Sequence, residues 1–190
     1  MEVERLEIPG VLVLTPTRIT DGRGFFVESF NARRLAAAGV TTTFVQDNMS
    51  FSRAVGTLRG LHFQRPPFAQ AKLVSVLRGR ILDVVVDARR GSPTWGRHVK
   101  VELSAEDGRQ IFVPEGFLHG FVTREPETLV AYKVNAHYSA EADGAVAWND
   151  PDLAIDWSLD GPPELSAKDA AAPAFAAFDT PFRFESGDAA

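Results

Sequence analysis

The chain contains no cysteine. That excludes disulfides, thiolate metal sites and cysteine nucleophiles together, and makes a reducing cytoplasm the expected compartment. No apolar run is long enough to cross a bilayer, so no membrane partner is expected. The opening Met1-Glu2-Val3-Glu4-Arg5 mixes charges and lacks the apolar core of a signal peptide. Basic residues are outnumbered: 20 Lys and Arg stand against 25 Asp and Glu, a net charge of −5. Such a balance offers no broad basic face for nucleic acid, although a local cluster of cations can still hold a small anion. Reactive side chains are few, with four histidines and two tyrosines, which narrows the search for chemistry.

What is present is a β-rich pattern. A length of 190 residues suits one domain with a sizeable core. Short runs of β-branched and apolar residues recur between Gly and Pro, as in a sandwich or barrel: 11–14, 71–77, 80–86, 99–103, 110–113, 117–122 and 129–134. The runs 71–77 and 80–86 flank Gly79 and predict a hairpin. Two helices are expected. Asn31 can cap the first, with Gly39 at its end, and Ser166 with Asp169 forms a capping-box variant at the second. The domain is expected over residues 1–169. Residues 170–190, rich in Ala, read as a loosely packed C-terminal extension.

Two motifs give the pattern an outline. Gly56 and His62 stand in the spacing G-x5-H. Gln64 and Lys72 then occupy the places where the first motif of the cupin superfamily carries its second His and its Glu, and Gly79 closes it. Gly108, Pro114, Gly116 and His119 fit the second motif, with Thr123 where that motif has Asn. The two in order resemble an all-β cupin jelly roll, a sandwich or barrel with a few short helices. With Gln64 and Lys72 in ligand places, two imidazoles remain and the ammonium would repel a cation, so no metal is expected.

The candidates for chemistry follow. His62 and His119 end motifs whose positions line the barrel interior, whereas His98 reads as a solvent-facing strand residue and His137 as an ordinary surface one. Lys72 shares a strand face with Val74 and Val76, and a cation on an apolar face asks for an anionic partner. Arg59, three residues before His62, adds a guanidinium to what reads as an anion pocket beside a titratable base. Taken alone, Tyr132 reads as aromatic packing and Asp169 as a first-turn helix acid.

Together these residues resemble the dTDP-4-dehydrorhamnose 3,5-epimerase family, metal-free cupins acting on nucleotide sugars. The resemblance runs from Ile8 to Asp169. It is carried by Asp21-Gly22-Arg23-Gly24-Phe25-Phe26-Val27-Glu28, Gln46-Asp47-Asn48-Met49-Ser50, Leu58-Arg59-Gly60-Leu61-His62-Phe63-Gln64 and Gln70-Ala71-Lys72-Leu73-Val74. It continues through Asp83-Val84-Val85-Val86-Asp87, Ser92-Pro93-Thr94, the run from Pro114 to Phe121, and Asp150-Pro151-Asp152-Leu153. The resemblance implies conversion of dTDP-4-dehydro-6-deoxy-D-glucose to dTDP-4-dehydro-L-rhamnose, by proton removal and re-addition at C3 and C5, with no cofactor. It implies that His62 is the base, Asp169 its orienting partner and Tyr132 the proton donor. Gln46, Asn48, Arg59, Lys72, His119, Tyr138, Asp143 and Lys168 fall on ligand-binding positions. Arg23 and Glu28 fall on positions that reach the nucleotide of a neighbouring subunit, which implies a homodimer to which the N-terminal strands contribute. Asp143 stands where the family usually has Glu, and Ala145 where Gly is usual; the shorter carboxylate is expected to need a bridging water.

The implied chemistry suits these side chains. A proton beside a ketone leaves as an enolate is formed, so a base near neutral pKa, an oxyanion stabiliser and a second proton donor are needed. An imidazole has an unperturbed pKa of ~6.5, an ammonium can stand in for a metal, and a phenol can donate from an apolar wall. The alternatives are a 3- or 5-monoepimerase and a sugar-nucleotide-binding cupin without catalysis.

Overall fold

Apolar runs broken by glycine cannot continue as one long strand, and the chain turns at each break. The computed structural model describes residues 1–185. In chain order the strands are β1 (Glu2–Arg5), β2 (Leu12–Thr15), β3 (Arg18–Asp21), β4 (Gly24–Val27), β5 (Gln46–Ser52), β6 (Leu58–Gln64) and β7 (Lys72–Arg78). They continue with β8 (Arg80–Asp87), β9 (His98–Ser104), β10 (Gln110–Val113), β11 (Phe117–Thr123), β12 (Thr128–Val134) and β13 (Asp143–Ala145). Two short helices, α1 (Ala32–Ala37) and α2 (Ala167–Ala170), start at Asn31 and Ser166, whose side chains accept backbone N–H groups as the sequence predicts.

One sheet has the order β1-β2-β10-β7-β12-β5, the other β13-β6-β11-β8-β9, and β3 and β4 form a separate hairpin. The pairs β5·β12, β6·β11, β7·β10 and β8·β9 are nested and antiparallel. Nesting of this kind is what a long hairpin produces when it is rolled across two sheets, and it defines the jelly roll. The hairpin expected at Gly79 is not formed: β7 and β8 lie in different sheets. One residue is too short a loop for a two-strand turn. Gly79 instead sits at φ +81°, pressed against Thr128, and carries the chain from one sheet to the other.

Between the sheets lies a core that includes Val74, Val76, Ile81, Val85, Ile111 and Val130. A second core covers the outer face of the five-stranded sheet, where Leu61, Phe63, Val84 and Leu118 meet Trp157, Phe175 and Phe182. Over residues 171–185 the chain is therefore not loosely packed. Phe175 and Phe182 are buried, Thr180 Oγ1 donates to the Ala88 carbonyl, and the backbones of Arg90, Phe182 and Phe184 are cross-bonded. Its alanines hide the signal that four phenylalanines carry. Residues 186–190 of the expected extension lie outside the described residues.

Candidate active site

Strand alternation would put Arg59 and His62, three apart on β6, on opposite faces. They share a face because β6 bulges against β11. His119 is paired with His62 and Phe121 with Arg59, so two residues of β6 oppose Gly120 alone. The contact needs glycine on both strands: a Cβ on Gly60 would lie 2.5 Å from the Gly120 Cα, and one on Gly120 2.9 Å from the Arg59 carbonyl. The bulge leaves Leu58 and Leu61 in the outer core and turns Arg59 and His62 into a cavity of about 320 Å³.

That cavity is also lined by Lys72 from β7, Tyr132 from β12, Gln46, Asn48 and Ser50 from β5, His119 from β11, and Tyr138, Asp143, Lys168 and Asp169 at its rim. Both sheets contribute, and the volume suits a small molecule. A larger cavity of about 490 Å³ lies between the β3–β4 hairpin and the outer face of the six-stranded sheet. It holds no histidine, so the chemistry belongs to the smaller one.

His62 Nε2 lies 2.5 Å from Asp169 Oδ1. Asp169 is buried in the first turn of α2, and its other oxygen accepts the Ser166 hydroxyl at 2.9 Å. Burial alone would raise the Asp169 pKa, but the hydrogen bonds from His62 and Ser166 and the Lys168 charge hold it below the usual range. The carboxylate therefore stays ionised beside the imidazole, and Nδ1 is the ring nitrogen left for another partner. Across the cavity, burial raises the Tyr132 pKa, partly offset by the Arg59 charge. The phenol keeps its proton at neutral pH. Desolvation lowers the Lys72 pKa to about 8, against the opposing pull of the Asp83 and Asp143 carboxylates.

His119 is buried, with Nε2 2.9 Å from Asp83 Oδ2 and Nδ1 3.4 Å from Lys72 Nζ. Asp83 was not singled out in the sequence, although an acid within the apolar run of β8 was a visible signal. Arg59 donates to the Phe51 carbonyl and to Ser52, which aims its guanidinium along β5. At the rim Asp143 accepts directly from Lys168 at 2.5 Å and from the Tyr138 hydroxyl at 3.2 Å, so it needs no bridging water to reach these neighbours. Gln46 donates to Asn48 and accepts from the Tyr138 backbone.

The residues at the former ligand places have other tasks. Gln64 is buried, donates to the carbonyls of Phe68 and His137 and accepts from Ser139 N–H, so it ties two rim loops together. Thr123 is likewise buried and bonded to Ala54 and Thr57. His137 is exposed. His98 is half-buried, where a solvent-facing residue was expected; the ring sits against the segment around Leu153, and desolvation lowers its pKa. Arg23 and Glu28 are not brought to this cavity. Arg23 pairs with Asp21 at the tip of the β3–β4 hairpin, and Glu28 pairs with Arg34.

Comparison with known proteins identifies the family to which the chain is similar. The family model of dTDP-4-dehydrorhamnose 3,5-epimerase matches residues 5–177. A dTDP-4-dehydrorhamnose 3,5-epimerase from Salmonella typhimurium is 49% identical over 174 residues, covering 91% of this chain and 94% of that protein. Among solved structures, a dTDP-6-deoxy-D-glucose-3,5-epimerase from Legionella pneumophila in complex with dTDP-4-keto-L-rhamnose superposes with a TM-score of 0.92. It has 43% identity and covers 97% of this chain and 98% of that one. A dTDP-4-dehydrorhamnose 3,5-epimerase from Bacillus anthracis with TDP and pyrophosphate bound gives a TM-score of 0.89 at 48% identity, covering 92% of this chain and 99% of that one.

Proposed function

The chain belongs to the dTDP-4-dehydrorhamnose 3,5-epimerase family, and we infer from its cavity how it carries out that family's reaction. It is an isomerase that inverts C3 and C5 of dTDP-4-dehydro-6-deoxy-D-glucose to give dTDP-4-dehydro-L-rhamnose. The observation that carries the mechanism is the 2.5 Å contact between His62 and Asp169 on one side of a cavity whose opposite wall bears Tyr132.

With Nε2 held by Asp169, His62 Nδ1 removes the proton beside the C4 ketone, and Asp169 stabilises the imidazolium that forms. The electron pair moves onto the ketone oxygen, where the Lys72 ammonium offsets the new charge without a cofactor. Tyr132 then donates its phenolic proton from the other sheet, so the carbon is reprotonated on the opposite face. His62 passes its proton to solvent and Tyr132 regains one before the second centre reacts. Arg59 and Lys168 supply cations for the pyrophosphate, while Gln46, Asn48, His119, Tyr138 and Asp143 complete the binding surface.

The protein acts as a homodimer in this reading. Ile19 and Phe26 stand side by side on one face of the β3–β4 hairpin and Phe25 on the other, and Met49 and Phe51 on the edge strand β5 are exposed as well, apolar surface of the kind a second subunit covers. The hairpin would then carry Arg23 and Glu28 to the partner's nucleotide. The test of the reaction is proton NMR of dTDP-4-dehydro-6-deoxy-D-glucose with the protein in deuterated water. Deuterium entering at both C3 and C5 is the expected result. Entry at one centre alone would make the protein a monoepimerase, and entry at neither would make it a binder.

A further inference from the structure

One buried ionisable group that the mechanism does not use bonds to a residue of the cavity wall. Asp83 is fully buried on β8. Its Oδ2 faces His119 Nε2 at 2.9 Å, while its Oδ1 is buried with no hydrogen-bond partner among the described residues. A carboxylate in this setting is costly unless its charge serves a neighbour. The neighbour beyond His119 is Lys72, whose Nζ lies 3.4 Å from His119 Nδ1.

Two facts fix the protons along this line. An ammonium has only donors, so the His119 Nδ1 it faces must carry a lone pair. The remaining ring proton is then on Nε2, where the Asp83 carboxylate accepts it. Burial, with Lys72 adding to it, also disfavours protonation of the ring against the pull of Asp83. His119 is thus a neutral imidazole of one tautomer, with an anion at one end and a cation at the other.

We infer that Asp83 is a positioning residue for catalysis: acting through His119, it aims the Lys72 ammonium at the substrate oxygen and keeps it charged. The other charged or titratable groups near Lys72 do not supply this. His62 on β6 is committed to Asp169, Lys168 in α2 repels the ammonium, and Asp143 on β13 sits at the rim, engaged by Lys168 and Tyr138. Asp83 is the nearby carboxylate that combines full burial with a hydrogen-bonded path to Nζ. The inference rests on Lys72 being the charge that meets the developing enolate.

The conservative substitution Asp83→Asn keeps the side chain's shape and an oxygen for the His119 proton, but removes the charge. The expected result is a fall in kcat of about ten- to a hundredfold, the range for loss of an orienting partner. Affinity for dTDP is expected to be unchanged, and the alkaline limb of kcat to move below pH 8. In a Lys72→Gln background the same change is expected to cost nothing further, because its route runs through Lys72. An unmoved alkaline limb, or full additivity with Lys72→Gln, overturns the inference. If Lys72→Gln itself leaves kcat intact, it is the assigned role of Lys72 that fails. Should Asp83→Asn not fold, nitrogen-15 NMR of the unsubstituted protein decides. A neutral His119 protonated on Nε2 at pH 7 is expected, and an imidazolium or an Nδ1–H tautomer overturns the inference.

Discussion

At the scale of single residues, the site is a set of ionisable groups whose environments separate their roles. Asp169 is held ionised, Tyr132 protonated, and Lys72 close to its titration point. Asp169→Asn keeps a hydrogen bond to the ring but cannot stabilise the imidazolium, and its amide favours the wrong tautomer. Turnover is expected to fall by at least about a hundredfold with little change in dTDP affinity; an unchanged kcat would return Asp169 to a helix-start acid. Lys72 makes a pH prediction whose sign can be worked out. Its folded pKa, about 8, lies below the usual 10.5, so the buried charge costs stability at lower pH. That cost is relieved as pH rises through the interval from about 8 to 10.5. Catalysis needs the charged form and moves the other way. kcat is expected to decline through an alkaline limb near pH 8 while the protein becomes no less stable, and stability falling in parallel with kcat would assign the limb to unfolding.

At the scale of elements, the bulge between β6 and β11 is what makes Arg59 and His62 neighbours. Gly60→Ala would drive a Cβ into Gly120 at a backbone φ of +142°. A loss of about 1–3 kcal/mol in stability is expected, with a fall in kcat, because the turn that aims His62 is disturbed. Denaturant unfolding and initial rates check both, and a variant with wild-type values for each would mean the strands accommodate a methyl group. The sequence made much of this level legible. The capping residues Asn31 and Ser166 announced both helices, and the strand runs fell close to their observed places, because caps and alternation are local effects. The alternation of Lys72, Val74 and Val76 placed a cation in the interior correctly. Partner choice was not local. A glycine between two strands reads the same whether it closes a hairpin or turns a corner between sheets, and only the nesting of distant strands decides for Gly79. The tail was misread for a related reason: its aromatic residues have no periodicity of their own and find their places against β6 and β8. Phe182, edge-on to Phe63 with centroids 6.1 Å apart, tests this. Phe182→Ala is expected to cost about 3–5 kcal/mol, whereas a loosely attached tail would give less than about 0.5 kcal/mol.

At the scale of the whole molecule, the described fold has one incongruity: two residues implicated in nucleotide binding, Arg23 and Glu28, are turned away from the cavity. A protein can place such groups usefully only if the surface bearing them meets another site. The β3–β4 hairpin pairs with neither of the large sheets and exposes 68% of Phe26 and 57% of Phe25 to solvent. A two-fold dimer would resolve this, provided that its isologous interface presented each hairpin to the other subunit's cavity. Subunit mixing puts the idea to a quantitative test. Arg23→Ala and His62→Ala homodimers are each expected to be weakly active, the first for want of a nucleotide contact and the second for want of a base. In a mixed dimer one cavity receives His62 from one chain and Arg23 from the other, so it is complete, while the second cavity lacks both. Random reassociation of equal amounts makes about half the dimers mixed, so roughly a quarter of all cavities regain full function. Activity rising to about that fraction of wild type after mixing is expected, with sedimentation showing dimers throughout. If mixing yields only the average of the two parent activities, Arg23 does not act across the interface. The hairpin would then serve the stability of the dimer alone, and the nucleotide would depend on Arg59 and Lys168 within one chain.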